Sequence, residues 1–246
     1  MTPELNFKKH KGLFITGTDT GVGKTMITGS IAKLLKAADK NVGVFKPIAT
    51  GCAKTRQGLV STDTEFLAYC AQSEFMLTDI TPETFIEPAA PLAAEMAENR
   101  KVNLETITTA YNYMADNSDC VLVEGIGGVK VPITDGFDVL DLAQAIALPV
   151  VIVARPGLGT LNHTLLTIDA VRNAGLAVAG VVINGYDEST ADFATATNPE
   201  VIANTANVSI LAIVPLDTTA SVEEMRTSTI VEDSLSTVEW QKLIGC

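Results

Sequence analysis

The sequence predicts an α/β fold, a doubly wound, mainly parallel sheet with helices on both faces. Three observations carry this. Short apolar runs rich in Val and Ile recur along the chain, and longer amphipathic stretches separate them. The runs are almost continuously apolar, as strands buried on both faces of a parallel sheet are, and regular alternation of strand and helix implies right-handed crossovers. The length, 246 residues, suits one large domain, and no repeat, low-complexity tract or linker interrupts it. The whole of 1–246 therefore reads as a single domain.

The candidate strands are 13–16, 42–45, 120–123, 150–154, 178–183 and 210–214. Helical patterns cover 24–38, 63–71, 90–98, 104–116, 138–146, 161–174 and 200–206, with a last helix near 238–244. The stretch 78–91 contains Pro82, Pro88 and Pro91 and reads as a surface excursion over one face. In such sheets ligands sit outside the carboxyl ends of the strands. That rule selects 17–25, 46–51, 124–128, 155–160, 184–185 and 215–217, all on one edge.

Composition narrows the function. The chain is 47% hydrophobic and 19% charged, with a formal net charge of -12, which fits a soluble acidic enzyme. Such a charge argues against broad binding to nucleic acid or to anionic membranes. Residues 1–11 are polar and Lys-rich with no apolar core, and no stretch approaches the roughly 20 apolar residues of a membrane helix. Cys52, Cys70, Cys120 and Cys246 are scattered without a CxxC pair, which predicts a reducing cytoplasm and no zinc site.

The strongest motif is Gly17-Thr18-Asp19-Thr20-Gly21-Val22-Gly23-Lys24-Thr25, set between the apolar run 13–16 and a helical pattern. Glycines let backbone N–H groups converge on phosphate oxygens, and the helix N-terminus adds partial positive charge. Lys24 would reach the β- and γ-phosphates of a nucleoside triphosphate, and the Thr25 hydroxyl would bind Mg²⁺. The fold is thus P-loop NTPase-like. The strict pattern places its first glycine at position 18, where Thr18 stands, and Gly17 is one residue early.

Three further residues fall on the same edge. Glu124 ends the run Val121-Leu122-Val123, a position suited to an acid that holds Mg²⁺ directly or through water; its alternative is a strand-end turn. Gly125, Gly127 and Gly128 let the backbone pass close to a nucleotide. Asp63, in Ser61-Thr62-Asp63, reads on its own as a helix cap, but its order after the second strand places it near the same edge. Lys46 precedes Pro47, which biases it toward extended backbone and projects its side chain past the strand end. Neutralising charge during phosphoryl transfer and simple surface solvation are both open to it.

Together these residues resemble the dethiobiotin synthetase family. The resemblance rests on residues 17–25, on Lys46-Pro47-Ile48-Ala49-Thr50-Gly51, on Asp63 and on 123–128. It continues through Gly159-Thr160-Leu161-Asn162-His163-Thr164 and Gly180-Val181-Val182-Ile183-Asn184 to Pro215, nearly the whole chain in order. The offset glycine is itself a trait of that family. The resemblance implies an ATP- and Mg²⁺-dependent ligase of biotin synthesis, with 7,8-diaminopelargonate and CO₂ as substrates. One amine takes up CO₂ as a carbamate, the carbamate attacks the γ-phosphate, and the second amine closes a cyclic urea.

By position the family implies Lys24 and Lys46 beside the transferred phosphate, and Thr25, Asp63 and Glu124 with the metal. Thr20, Gly21, Val22 and Gly23 would wrap the phosphates together with Gly125, Ile126 and Gly127. Asn184 and Gly185 would meet adenine, and Pro215, Leu216 and Asp217 would line the base pocket. Thr20 and Thr50 would contact the substrate. The family also implies a homodimer in which Gly159, Thr160, Leu161 and Asn162 of the partner bind the substrate carboxylate, a suitable task for a helix N-terminus.

The chain departs from the family pattern in places. Gly21 stands where some members carry an acid, and Gly185 where an acid follows the asparagine. Residues 218–225 do not align, which leaves a late ribose contact open to Glu223, to Glu224 or to neither. The alternative from another class is a regulatory ATPase of the partitioning or division-site type, which shares the fold. Such proteins usually carry a loop lysine where this chain has Asp19.

Overall fold

A computed structural model describes residues 5–56 and 58–245. Cys246 and the first four residues of the 1–11 stretch lie outside them. β1 (Gly12–Gly17) leads through the glycine-rich loop into α1 (Lys24–Ala37) and β2 (Val42–Phe45). An excursion follows, made of β3 (Ile48–Ala49), the antiparallel pair β4 (Ala53–Thr55) and β5 (Gly58–Val60), α2 (Thr62–Ala71), α3 (Leu77–Ile80), β6 (Glu83–Thr84) and α4 (Pro91–Glu98). Helix α5 (Leu104–Asp116) returns the chain to β7 (Cys120–Gly128). Antiparallel β8 (Pro132–Thr134) and β9 (Phe137–Asp138) and helix α6 (Val139–Ile146) precede β10 (Val150–Ala154). Then come α7 (Thr160–Asn173), β11 (Val178–Tyr186), α8 (Phe193–Ala206), β12 (Ile210–Pro215), α9 (Thr229–Ser236) and α10 (Trp240–Ile244).

Six strands form one parallel sheet in the order β12-β11-β10-β1-β7-β2. Every residue of β1, β2 and β10 is buried, so both faces of the sheet centre are covered, as the apolar runs imply. The edge strand β12 alternates instead, with Ile213 partly exposed. Strand β1 lies between β7 and β10, and the chain winds outward from it in both directions. That is the topological switch point, where the carboxyl ends of the strands open a crevice.

The structure differs from the sequence expectations at several places. The 120–123 run continues as strand to Gly128, because a register shift between Ile15 and Gly17 lets β7 keep pairing as far as Gly17 with Gly128. Glu124 is therefore inside a strand. Helix α8 begins at Phe193 rather than 200, because the Asp192 carboxylate caps it at Thr195 N and outweighs Pro199 within it. Helix α9 has no counterpart in the periodic pattern. The 78–91 stretch is not a surface excursion throughout. Ile80 and Phe85 are fully buried, β6 pairs with β3, and the Arg100 guanidinium stacks 4.0 Å over the Phe85 ring.

Candidate active site

Helix α1 starts on Gly23, whose φ of 91° is left-handed and which offers no side-chain cap. Its first backbone N–H groups are thus left to an anion. A side chain at Gly23 is excluded twice over. The backbone disfavours it, and a Cβ there would stand 2.1 Å from Asn184 Nδ2. That same Nδ2 donates to the Val22 carbonyl at 2.9 Å, so β11 braces the loop from the side.

Lys24 is almost fully buried, and its Nζ donates to the Asp19 carbonyl at 3.0 Å. Burial, followed by the nearby positive Lys46, lowers its pKa from 10.5 to about 8. The Asp19 carboxylate accepts from Thr20 N at 2.7 Å and pairs with the Arg155 guanidinium at 2.7 Å. The sequence places 155–160 at a strand end and assigns Arg155 no role. Its position after an apolar strand was the available signal.

Lys46 settles between two acids. Its Nζ donates to Glu124 Oε1 at 2.5 Å and to Asp63 Oδ2 at 2.9 Å. It is 3% exposed, so the surface-lysine alternative does not hold. Burial opposes its charge, but Glu124 and Asp63 outweigh that and hold its pKa above the ordinary lysine range. Burial likewise penalises the Asp63 carboxylate, yet Lys46 and the Thr25 hydroxyl hold its pKa below the usual carboxylate value. Asp63 is no helix cap: α2 is preceded by Ser61, and the Asp63 side chain turns to Lys46.

The Thr25 hydroxyl donates to Glu124 Oε1 at 2.8 Å. Glu124 is fully buried, and its Oε2 has no hydrogen-bond partner among the described residues. Carboxylate and hydroxyl oxygens are the ligands a hard cation takes, and a buried carboxylate oxygen without a partner suits one more. Thr25, Asp63 and Glu124 therefore fit a magnesium ion as a set.

A cleft of about 560 Å³ opens over this cluster. Of the predicted residues, Thr20, Gly21, Gly23, Lys24, Thr25, Lys46, Thr50, Asp63, Glu124, Ile126 and Gly127 line it. Val22 and Gly125 are buried beneath it, Gly125 against Phe14 and Val139. Asn184 holds the loop at the Val22 carbonyl, and Gly185 follows it in β11.

Pro215, Leu216 and Asp217 lie outside the lining. The Asp217 carboxylate is engaged by the Ser228 hydroxyl and by Thr219 N and Oγ1. This clasp closes the loop after β12. The loop instead brings Ala220, Ser221, Val222 and Glu223 onto the cleft, through a tight turn paired between Ser221 and Arg226. The sequence leaves Glu223 open as a contact, whereas Ala220, Ser221 and Val222 carry no periodic pattern that would mark them. Gly159, Thr160, Leu161 and Asn162 also lie off this chain's cleft, at the start of α7, beside the strongly exposed Leu158. The buried Asn198 holds the preceding turn by donating to the Pro156 carbonyl at 2.8 Å.

A glycine-rich loop at the switch point of a parallel sheet, with a buried lysine and a hydroxyl opening the next helix, defines a phosphate-loop nucleotide-binding protein. A family profile described as an AAA domain matches residues 11–224. The chain is 40% identical to the ATP-dependent dethiobiotin synthetase BioD of Bacillus subtilis (strain 168) over 83% of its length and 87% of the relative. It is 37% identical to that of Thermodesulfovibrio yellowstonii over 95% of its length and 98% of the relative. The chain belongs to the dethiobiotin synthetase family.

Solved structures add likeness of fold alone. The cell division protein MinD of Aquifex aeolicus matches with a TM-score of 0.57 at 16% identity, over 96% of this chain and 98% of that one. A ParA family ATPase of Chlorobium tepidum TLS matches with a TM-score of 0.56 at 14% identity, over 93% of this chain and 97% of that one. No helix among the described residues is long and apolar enough to cross a membrane.

Proposed function

We propose that the chain makes dethiobiotin from 7,8-diaminopelargonate, CO₂ and ATP, releasing ADP and phosphate. The observation that carries this at the site is the buried Lys46, set against Glu124 and Asp63 beside the phosphate loop. Family membership supplies the substrate.

The chemistry divides among this chain's residues. One substrate amine adds to CO₂ and loses a proton, giving a carbamate. A carbamate oxygen attacks the γ-phosphorus, and the bond to ADP breaks. The second amine then attacks the carbamoyl carbon, closing the five-membered urea and expelling phosphate. Lys24 and the backbone N–H groups of 21–25 hold the triphosphate, and Lys46 neutralises charge that builds on the transferred group. Thr25, Asp63 and Glu124 would hold Mg²⁺, which would offset negative charge on the triphosphate. Thr20 and Thr50 face the same cleft and orient the carbamate, the larger part of what this reaction asks of a protein.

The active unit is a homodimer. Gly159, Thr160, Leu161 and Asn162 of one protomer supply an anion-binding helix start for the substrate carboxylate in the other. Their position off their own cleft, next to exposed Leu158, supports this reading.

The test is direct. Purified protein is given diaminopelargonate, bicarbonate and MgATP, and dethiobiotin, ADP and phosphate are measured. Equal amounts of all three are expected. ATP hydrolysis without ring product would overturn the proposal.

A further inference from the structure

The two acids assigned to the metal are already bridged by a cation of the protein itself. The Lys46 ammonium lies 2.5 Å from Glu124 Oε1 and 2.9 Å from Asp63 Oδ2. Glu124 Oε1 also accepts the Thr25 hydroxyl, so the ammonium and the hydroxyl converge on one oxygen. Lys46 and Glu124 are buried, so water screens little of their interaction. Glu124 Oε2 has no hydrogen-bond partner among the described residues, but a divalent cation drawn to it would lie against the buried ammonium, and the two positive charges repel.

We propose that Lys46 is a resident counter-ion that closes the Asp63–Glu124 pair to a free divalent cation, so that metal enters only with the nucleotide. The triphosphate supplies the negative charge that draws the ammonium off the acids. The lysine is then released toward the group on which it acts. One side chain thus guards the metal position before substrate arrives and serves the phosphate afterwards. Removing the ammonium leaves two acids without their partner, a costly state that a cation from solution would relieve.

The inference rests on the reading of Asp63 and Glu124 as metal positions, and the experiment separates the two. Mn²⁺ binding is followed by electron paramagnetic resonance on the full chain, with and without ATP, for wild type, Lys46→Gln, Glu124→Gln and the Lys46→Gln/Glu124→Gln double variant. Without nucleotide, wild type is expected to bind Mn²⁺ weakly and Lys46→Gln at least about tenfold more tightly. The double variant should lose that gain. Melting of Lys46→Gln, and not of wild type, should shift upward with Mg²⁺ alone.

If Lys46→Gln gains no affinity while wild type binds Mn²⁺ normally with ATP, the counter-ion role is overturned and the metal reading stands. If Glu124→Gln leaves Mn²⁺ binding with ATP unchanged, the metal reading itself falls. Should Lys46→Gln not fold, wild type still decides: equal Mn²⁺ affinity with and without ATP overturns the proposal.

Discussion

The side-chain amide of Asn184 donates to the Val22 carbonyl at 2.9 Å, joining β11 to the phosphate loop across 162 residues of sequence. The same nitrogen occupies the space a Cβ at Gly23 would need. Loop shape therefore depends on Asn184 and Gly23 together. Asn184→Ala is expected to lower stability by about 1–2 kcal/mol and to raise KM for ATP. Gly23→Ala should be more damaging, since a clash adds to a left-handed backbone cost of about 1–2 kcal/mol. The Asn184→Ala/Gly23→Ala double variant should be less destabilised than the two single effects summed. Thermal denaturation of all four proteins checks this, and simple additivity would refute the shared packing.

Lys46→Ala should reduce kcat by about 100-fold or more while changing ATP affinity by less than about threefold, because its charge is used as the phosphoryl group moves. Steady-state kinetics with a separate nucleotide-binding titration makes the comparison. Turnover near wild type would remove Lys46 from the chemistry.

Lys24 predicts a pH dependence. Its pKa is lowered to about 8 in the fold and is 10.5 ordinarily, so between those values the unfolded chain binds a proton that the folded one lacks. Stability of the nucleotide-free protein should then rise as pH is raised through that window, and this contribution should be flat below it. Lys46, with its pKa raised, opposes further gain above the ordinary lysine value. Lys24→Met should flatten the rise and stabilise the protein by about 1–3 kcal/mol at neutral pH, while abolishing ATP binding. Urea denaturation from pH 7 to pH 10 reads both effects, and an unchanged slope in Lys24→Met would contradict them.

Glu223 lines the cleft, whereas Glu224 pairs with Arg226 outside it. Glu223→Gln should weaken nucleotide binding several-fold, by about 1 kcal/mol, the scale of one hydrogen bond. Glu224→Gln should leave it unchanged. Titration with a non-hydrolysable ATP analogue distinguishes the pair, and equal effects would place neither residue at the nucleotide.

Asn162→Ala should raise KM for diaminopelargonate without altering nucleotide affinity. Mixed with a Lys24→Met chain, it should restore activity, because one hybrid site then receives a sound loop and a sound helix start. Absence of any recovery, with heterodimers demonstrated, would count against a site shared between chains.

The strand and helix plan was legible because burial of both sheet faces forces near-continuous apolar runs, and amphipathic stretches mark the crossovers. The phosphate loop, Lys46 and Asp63 were legible because each sits beside a strand end or helix start on one edge, and Glu124 because it closes an apolar run. The length of β7 was not, since only pairing with the shifted end of β1 shows that Glu124 is buried inside a strand. The full extent of α8 was hidden by Pro199, whose local penalty the Asp192 cap and tertiary packing override.

By itself, then, the sequence determined a doubly wound nucleotide-binding fold and the chemical types gathered at its switch point, because these follow from local periodicity and chain order. Only the tertiary structure decided that Lys46 bridges Asp63 and Glu124, that Arg155 holds Asp19, and that the 220–223 turn lines the cleft. Those are contacts between distant segments, set by how buried charge must be paired and how a loop is clasped, and no local pattern encodes them.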